Sequence, residues 1–487
     1  MVALVSAAAV LVSLGATPGQ SGAAVAPTPA PMTVRSLTTP LLSPRRLPQW
    51  VATTVAGQRL LASLRATLAQ PLLAGAGAKS CLVVSQAGAT LAAINPTLAV
   101  DPASNMKLLT ATAVLDKIGP AAVYTTKVVT TAPVDAGVLN GNLVLVGGGD
   151  PLLRTEGYQS GLIDGAGVFT NVAQLAAQVR AAGITEITGS VLGDDSRYDA
   201  QRAIASWPAR YAAEDDFGPL SALEINDDYL AGSPGVTKGA QPPAAAAQYF
   251  ATLLRAAGVR VLGAGAAGVA PVGARTVTSI SSAPMAAVVG EILRESDDTG
   301  AELLVKELGV RFGGAGTTAA GLAVERADLS ADGLPTQGAV LVDGSGLDLS
   351  DRVTCQLETV LLARAGPTGV LAAALPVAGK SGTLHARLLH TAAAGRVLAK
   401  TGTLFGVSAL SGFVESGPNT AANRAQGTLG GPLVFSLILN GLPPNLAGEA
   451  TGVTIGNQVA LVLAGFPTTP PLAELSPQPA HVVSVAP

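Results

Sequence analysis

From Trp50 to about Leu73 the apolar positions recur at helical spacing, and then the pattern shortens to that of a sheet. Cys81-Leu82-Val83-Val84 and Thr90-Leu91-Ala92-Ala93 flank a Gln86-Ala87-Gly88 turn and read as paired strands. A helix is predicted where Leu108, Leu109, Ala111, Ala113, Val114 and Leu115 follow Ser104 and Lys107. Between about 126 and 275 the chain breaks into short β-like runs separated by Gly, Pro and Asp. Examples are 143–146, which runs into Gly147-Gly148-Gly149-Asp150-Pro151, and 189–194. This stretch reads as a separate, mostly β inserted domain. Helical spacing returns over 285–308, and the Gly-rich turn 343–347 precedes a helix through Cys355. Residues 397–404, 407–414 and 432–439 read as strands, and 452–463 as a closing helix.

Composition narrows the class. The chain has 487 residues, 48% hydrophobic and 13% charged, with no interior apolar run of membrane-spanning length. A net charge of −3, no basic block and few aromatics argue against nucleic acid as a partner. Three histidines and two cysteines offer no convincing ligand set, so no metal and no cofactor is expected. The glycine cluster before Asp150 is not a phosphate loop, because no Gly-Lys-Ser/Thr follows it. At the start, residues 2–14 are apolar and Ala24-Val25-Ala26 is a small-residue cleavage pattern. The first positive charge is Arg35, so two readings of 1–26 stay open: a signal peptide whose start lies upstream, or a short membrane anchor. Either implies export, to the cell wall or periplasm, with the N-terminus as the membrane contact. In an exported chain Cys81 and Cys355 are a candidate disulfide. A Pro-rich linker follows over 27–47, and a Pro-rich tail closes the chain over 467–487.

Three short polar motifs carry the chemistry. Ser104 and Lys107 stand three apart at a helix start, on one face, where a lysine amine can activate a serine nucleophile. Ser296-Asp297-Asp298 lies inside the next helical region. Lys400-Thr401-Gly402, followed by Thr403, offers an ammonium and a hydroxyl to a carboxylate, with a glycine that permits close approach. A rival copy, Lys380-Ser381-Gly382-Thr383, sits in a Pro/Gly turn context; the later copy is preferred because a strand-like hairpin follows it. Ser-x-x-Lys, Ser-x-(Asn/Asp) and Lys-Thr-Gly in this order form the set found in penicillin-binding proteins and β-lactamases. Gly344-Ser345-Gly346 lacks the Gly-x-Ser-x-Gly elbow, which argues against a Ser-His-Asp enzyme, and His385 and His390 read as surface or structural.

The chain resembles the D-alanyl-D-alanine carboxypeptidase/endopeptidase family, the class C low-molecular-mass penicillin-binding proteins. The resemblance runs from about 50 to 466 and includes 102–110, the Gly148–Pro151 turn, 218–223 and 343–347. The long gap between Ser104 and Ser296 leaves room for the extra domain such enzymes hold. The resemblance implies an α/β fold: a transpeptidase-like catalytic domain from 48–125 and 276–466, with an antiparallel sheet flanked by helices, interrupted by the insert at 126–275. It implies a serine D,D-peptidase acting on peptidoglycan stem peptides and open to β-lactam antibiotics. In that reading Ser104 attacks the penultimate D-Ala carbonyl and Lys107, as a neutral amine, takes its proton. Ser296 relays a proton to the leaving amine, while Lys400 and Thr401 hold the terminal carboxylate. The backbone N–H groups of Ser104 and Thr403 form the oxyanion hole.

One position departs from the family pattern: Asp298 stands where the second motif ends in asparagine. An amide donates and accepts, whereas an ionised carboxylate only accepts. Beside Lys107 it favours the charged amine and opposes the lysine's role as base. Two alternatives follow, a catalytically impaired wall-binding scaffold and a β-lactamase or esterase on the same fold.

Overall fold

The computed structural model describes residues 47–73, 75–229, 241–415 and 431–467. The apolar segment 1–26, the linker as far as 46 and the tail beyond 467 lie outside them. Helix α1 (Leu47–Leu68) leads to strands β1 (Cys81–Gln86) and β2 (Ala89–Ile94), and then to helix α2 (Met106–Lys117). The insert follows as β3 (Thr125–Thr130), β4 (Leu143–Val146), α3 (Val172–Ala181), β5 (Val191–Asp194), α4 (Pro242–Ala256), β6 (Gly265–Ala267) and β7 (Arg275–Ser281). The chain then returns through α5 (Met285–Glu295), α6 (Asp298–Leu308), α7 (Thr318–Ala331) and α8 (Cys355–Ala365). It ends in β8 (Val397–Leu404), β9 (Val407–Val414), β10 (Leu433–Asn440) and α9 (Leu446–Ala464).

Both ends of the chain build one antiparallel sheet in the order β8-β9-β10-β1-β2. All six residues of β1 are buried, as its apolar run requires of a central strand covered on both faces. Successive side chains point to opposite faces. Cys81 and Val83 therefore join Met106, Leu109, Ile292, Leu304 and Leu361 in one core, under α2, α5, α6 and α8. Leu82 and Val84 join Leu60, Leu64, Ile455 and Val459 in the other, under α1 and α9. A large aliphatic side chain buried in this way contributes about 1.5–3 kcal/mol. Cys81 and Cys355 are joined as a disulfide that ties the central strand to the first turn of α8.

The insert has its own core of Val128, Leu143, Leu145, Leu175, Val179, Val191, Phe250 and Leu254. Its main sheet runs β6-β5-β4-β3-β7. The pairs β4–β5 and β5–β6 are parallel, and each needs a crossover, which α3 and α4 provide. Arg154 reaches from this domain toward the residues described next.

Candidate active site

Ser104 lies in a single 3₁₀ turn, Ala103–Asn105, that runs directly into α2. The turn is fixed from several sides. Ala103 has φ 47°, left-handed for a residue with a Cβ, and its N–H is accepted by Asp101 Oδ1 at 2.9 Å. Asp101 is in turn bonded twice to the Asn440 amide, at 3.0 and 2.8 Å. Gly346, φ 85°, packs against the Ala103 carbonyl so tightly that a Cβ there would come within 1.9 Å of it. A Cβ on Gly402 would meet the Pro102 carbonyl at 2.8 Å. The glycine of the Lys-Thr-Gly strand thus admits the nucleophile turn itself. Beneath the turn, Asn105 donates to Ser411 Oγ at 2.7 Å and to Glu358 Oε2 at 3.2 Å, and Ser436 donates to the same oxygen at 2.9 Å. Burial pushes the Glu358 carboxyl up to about 7.

Lys107 is 1% exposed, and its ammonium is engaged on two sides. It donates to Asp298 Oδ1 at 2.5 Å and to the Ser345 carbonyl at 2.8 Å. Among the described residues no hydrogen bond joins Ser104 Oγ to Lys107 Nζ, although the i, i+3 spacing would permit one. The carboxylate in the asparagine position has captured the amine. Burial pushes the Asp298 carboxyl above its ordinary range, and the adjacent Lys107 ammonium pulls it back. The Ser345 carbonyl is held by its own turn. Glu302 Oε1 accepts the N–H groups of Gly344 and Ser345 at 2.9 and 2.8 Å, and Asp343 Oδ1 accepts that of Gly346 at 2.7 Å.

Ser296 occupies the break between α5 and α6 with φ 60° and ψ 36°, a left-handed conformation that a serine adopts only when its surroundings impose it. Asp297 imposes it. One oxygen caps α6 by accepting from Gly300 N at 2.7 Å, and the other meets Arg154 of the insert at 2.8 Å. Arg154 is nearly fully buried and also donates to Gln159 at 3.2 Å. From this break Ser296 Oγ bonds Lys400 Nζ at 2.8 Å. Lys400, 0% exposed on β8, also donates to the Thr401 carbonyl at 2.7 Å. Burial and the nearby Lys107 ammonium push Lys400 well below the ordinary lysine range, with Asp298 opposing. Among the described residues no carboxylate lies within ion-pair distance of it.

The residues singled out in the sequence therefore form two linked groups, Lys107–Asp298 and Lys400–Ser296. Ser104, Asp298 and Thr403 line one cleft of about 120 Å³ with Tyr211, Leu347 and Phe405. Lys380 of the rival motif is exposed, whereas Lys400 is buried beside Ser296. Sequence reasoning gave no role to Arg154, Glu302, Asn105 or the Ser345 carbonyl. The turn at 343–347 was visible as a motif, but its contact with Lys107 is a tertiary fact.

Comparison with known proteins follows the same line. The D-Ala-D-Ala carboxypeptidase 3 (S13) family model matches residues 60–238 and 230–464, and the chain belongs to that family. It is 31% identical to a D-alanyl-D-alanine carboxypeptidase of an Actinomadura species over 77% of this chain and 80% of that one. It is 30% identical to carboxypeptidase DacB of Mycolicibacterium smegmatis over 95% and 94%. In fold it is similar to penicillin binding protein 4 from Haemophilus influenzae, with a TM-score of 0.65 and 19% identity, covering 81% of this chain and 99% of that one.

Proposed function

We propose that the protein is a serine D,D-peptidase that cleaves the D-Ala-D-Ala end, and cross-links, of peptidoglycan stem peptides through an acyl-enzyme on Ser104. The observation that carries this reading is the pair of linked groups beside one cleft, with Ser104 and Thr403 both on its wall. Lys400 supports a substrate with a free carboxylate. Among the described residues its amine contacts only neutral oxygens; burial disfavours its charge, and an incoming carboxylate favours it. Lys107 first hands a proton to Asp298, whose carboxyl burial makes easier to protonate. Ser104 Oγ then attacks the penultimate carbonyl, its proton passes to the neutral Lys107 amine, and the oxyanion forms against the N–H groups of Ser104 and Thr403. Ser296 hands a proton to the departing D-Ala amine, and water hydrolyses the ester.

The domain organisation that fits this reading is a catalytic domain of 48–125 and 276–466 around an insert at 126–275. Action outside the cytoplasm is supported by the Cys81–Cys355 disulfide. No helix among the described residues is long and apolar enough to cross a membrane.

The test is intact-mass measurement after incubation with benzylpenicillin. A covalent adduct on Ser104 that Ser104→Ala abolishes is the expected result. An adduct that persists in Ser104→Ala, or maps to Ser345 or Ser381, overturns the assignment. The second reading, an impaired penicillin-binding scaffold, is favoured by the Lys107–Asp298 pair and predicts slow acylation with no peptide turnover.

A further inference from the structure

The Lys-Ser-Gly-Thr segment that the nucleophile chemistry does not use lies against the strand that does the binding. Segment 376–378 runs along the outer edge of β8: Ala399 N bonds the Pro376 carbonyl at 3.0 Å, and Ala378 N bonds the Val397 carbonyl at 2.9 Å. The chain then enters a 3₁₀ turn, Gly382–Leu384. Gly382, φ 55°, is wedged under α5, where a Cβ would come within 2.7 Å of the Arg294 carbonyl, two residues before Ser296. Gly379 N closes the segment onto the Leu384 carbonyl at 2.9 Å. The result is a fixed turn that presents one half-exposed hydroxyl. Thr383 Oγ1 lies 2.8 Å from Thr401 Oγ1.

We infer that Thr383 is a positioning residue for the carboxylate end of the substrate, acting through the Thr401 hydroxyl. The inference rests on the reading of Lys400 and Thr401 as the carboxylate site. A threonine hydroxyl has one proton to donate and two lone pairs. If Thr401 spent its proton on a neighbour, it would offer the substrate carboxylate only lone pairs and would repel it. With Thr383 as donor, Thr401 Oγ1 accepts from behind and its own proton is left for the carboxylate. Aligned donors in such a chain polarise one another, so the outer hydroxyl donates more strongly than it would alone. The exposed Lys380 has no part in this. The useful residue of the rival motif is its threonine.

The experiment compares, on the full chain, the second-order acylation rate constants for benzylpenicillin and for its methyl ester, which lacks the free carboxylate. Removing one neutral hydrogen bond costs about 1 kcal/mol, a factor of about five. Thr383→Val should lower the constant for benzylpenicillin by about that factor and leave the ester within about twofold. Thr383→Ser should restore it. Thr401→Val should show the same selectivity with a larger loss. Equal losses on both compounds in Thr383→Val would mean that the residue only supports the fold, and would overturn the inference. Selectivity in Thr401→Val without any in Thr383→Val would also overturn it while leaving the carboxylate site standing. Absence of selectivity in Thr401→Val would remove the site and the inference together. If Thr383→Val does not fold, Thr383→Ala is read by the same contrast.

Discussion

Two buried lysines belong to the candidate site, and their surroundings are opposite. Lys107 is held by a carboxylate and a carbonyl, above a turn crowded with carboxyls: Asp298, Glu302 and Asp343. Lys400 is held by a hydroxyl and a carbonyl, with no carboxylate in contact among the described residues. The first ammonium is compensated within the protein; the charge of the second lysine is disfavoured by burial and is favoured when an anion arrives. The difference separates two jobs that look alike in sequence, handling a proton and holding a carboxylate.

The comparison breaks most sharply in stability. Lys107→Met leaves the Asp298 carboxyl, 15% exposed at the cleft, without its partner and should cost about 3 kcal/mol in denaturant unfolding, the low end for a buried pair. Lys400→Met replaces a buried amine that no described carboxylate contacts with an apolar chain of similar size, and should leave stability unchanged or raise it. Equal losses would show that Lys400 is compensated after all. Next in size is the disulfide, which anchors the helix bearing Glu358 beneath Ser104. Cys81→Ser with Cys355→Ser should lower stability by about 2–4 kcal/mol by the same measurement.

Asp298→Asn should release Lys107 for proton transfer and restore an amide donor, raising the acylation rate by about tenfold or more. The check is stopped-flow acylation by benzylpenicillin, with Lys400→Met as the contrast, since that change should weaken the binding of carboxylate-bearing compounds. A mutant no faster than the native protein would mean that the pair does not limit the proton step. The smallest expected effect is on the pH dependence of stability. Burial pushes Glu302 and Glu325 up to about 8 and Glu358 up to about 7, from an ordinary value of 4.5. The folded chain therefore holds protons that the unfolded chain releases. Their contribution is complete below about 4.5 and is lost as pH rises through 7 to 8, so the melting temperature should fall over that window. Glu302→Gln keeps the acceptor for Gly344 and Ser345 and removes one titrating group. It should make the fall of melting temperature with rising pH shallower.

Much of this was legible from pattern. The short apolar runs in 81–93 and 397–414 pointed to strands of the sheet, and three motifs in order pointed to Ser104, Lys107, Ser296 and Lys400. The hairpin after Lys400 separated it from Lys380. What was not legible is held by contacts between distant segments. Nothing near Arg154 announces that it will meet Asp297, and nothing in Thr383 announces Thr401. Local chemistry was also missed. The closing helix starts at Leu446 and not at Gly452, because Asn445 caps it by accepting from Gly448 N at 3.1 Å. In the insert, read as mostly β, α4 opens on Pro242-Pro243, where proline suits the first turn of a helix.

A sheet assembled from both ends of a chain also sets an order of events. Cys81 of β1 lies opposite Ile438 of β10, and at ribosomal rates its partner strand emerges on the order of tens of seconds later. Through that interval a strand apolar on both faces waits with an open edge, the condition under which chains pair with the wrong neighbour. The insert has no such wait, since every strand of its main sheet lies between 125 and 281. A newly made chain can complete the sheet of the insert before the sheet it interrupts. The surface that Arg154 offers to Asp297 is then in place first, a template on which the later half of the active site closes.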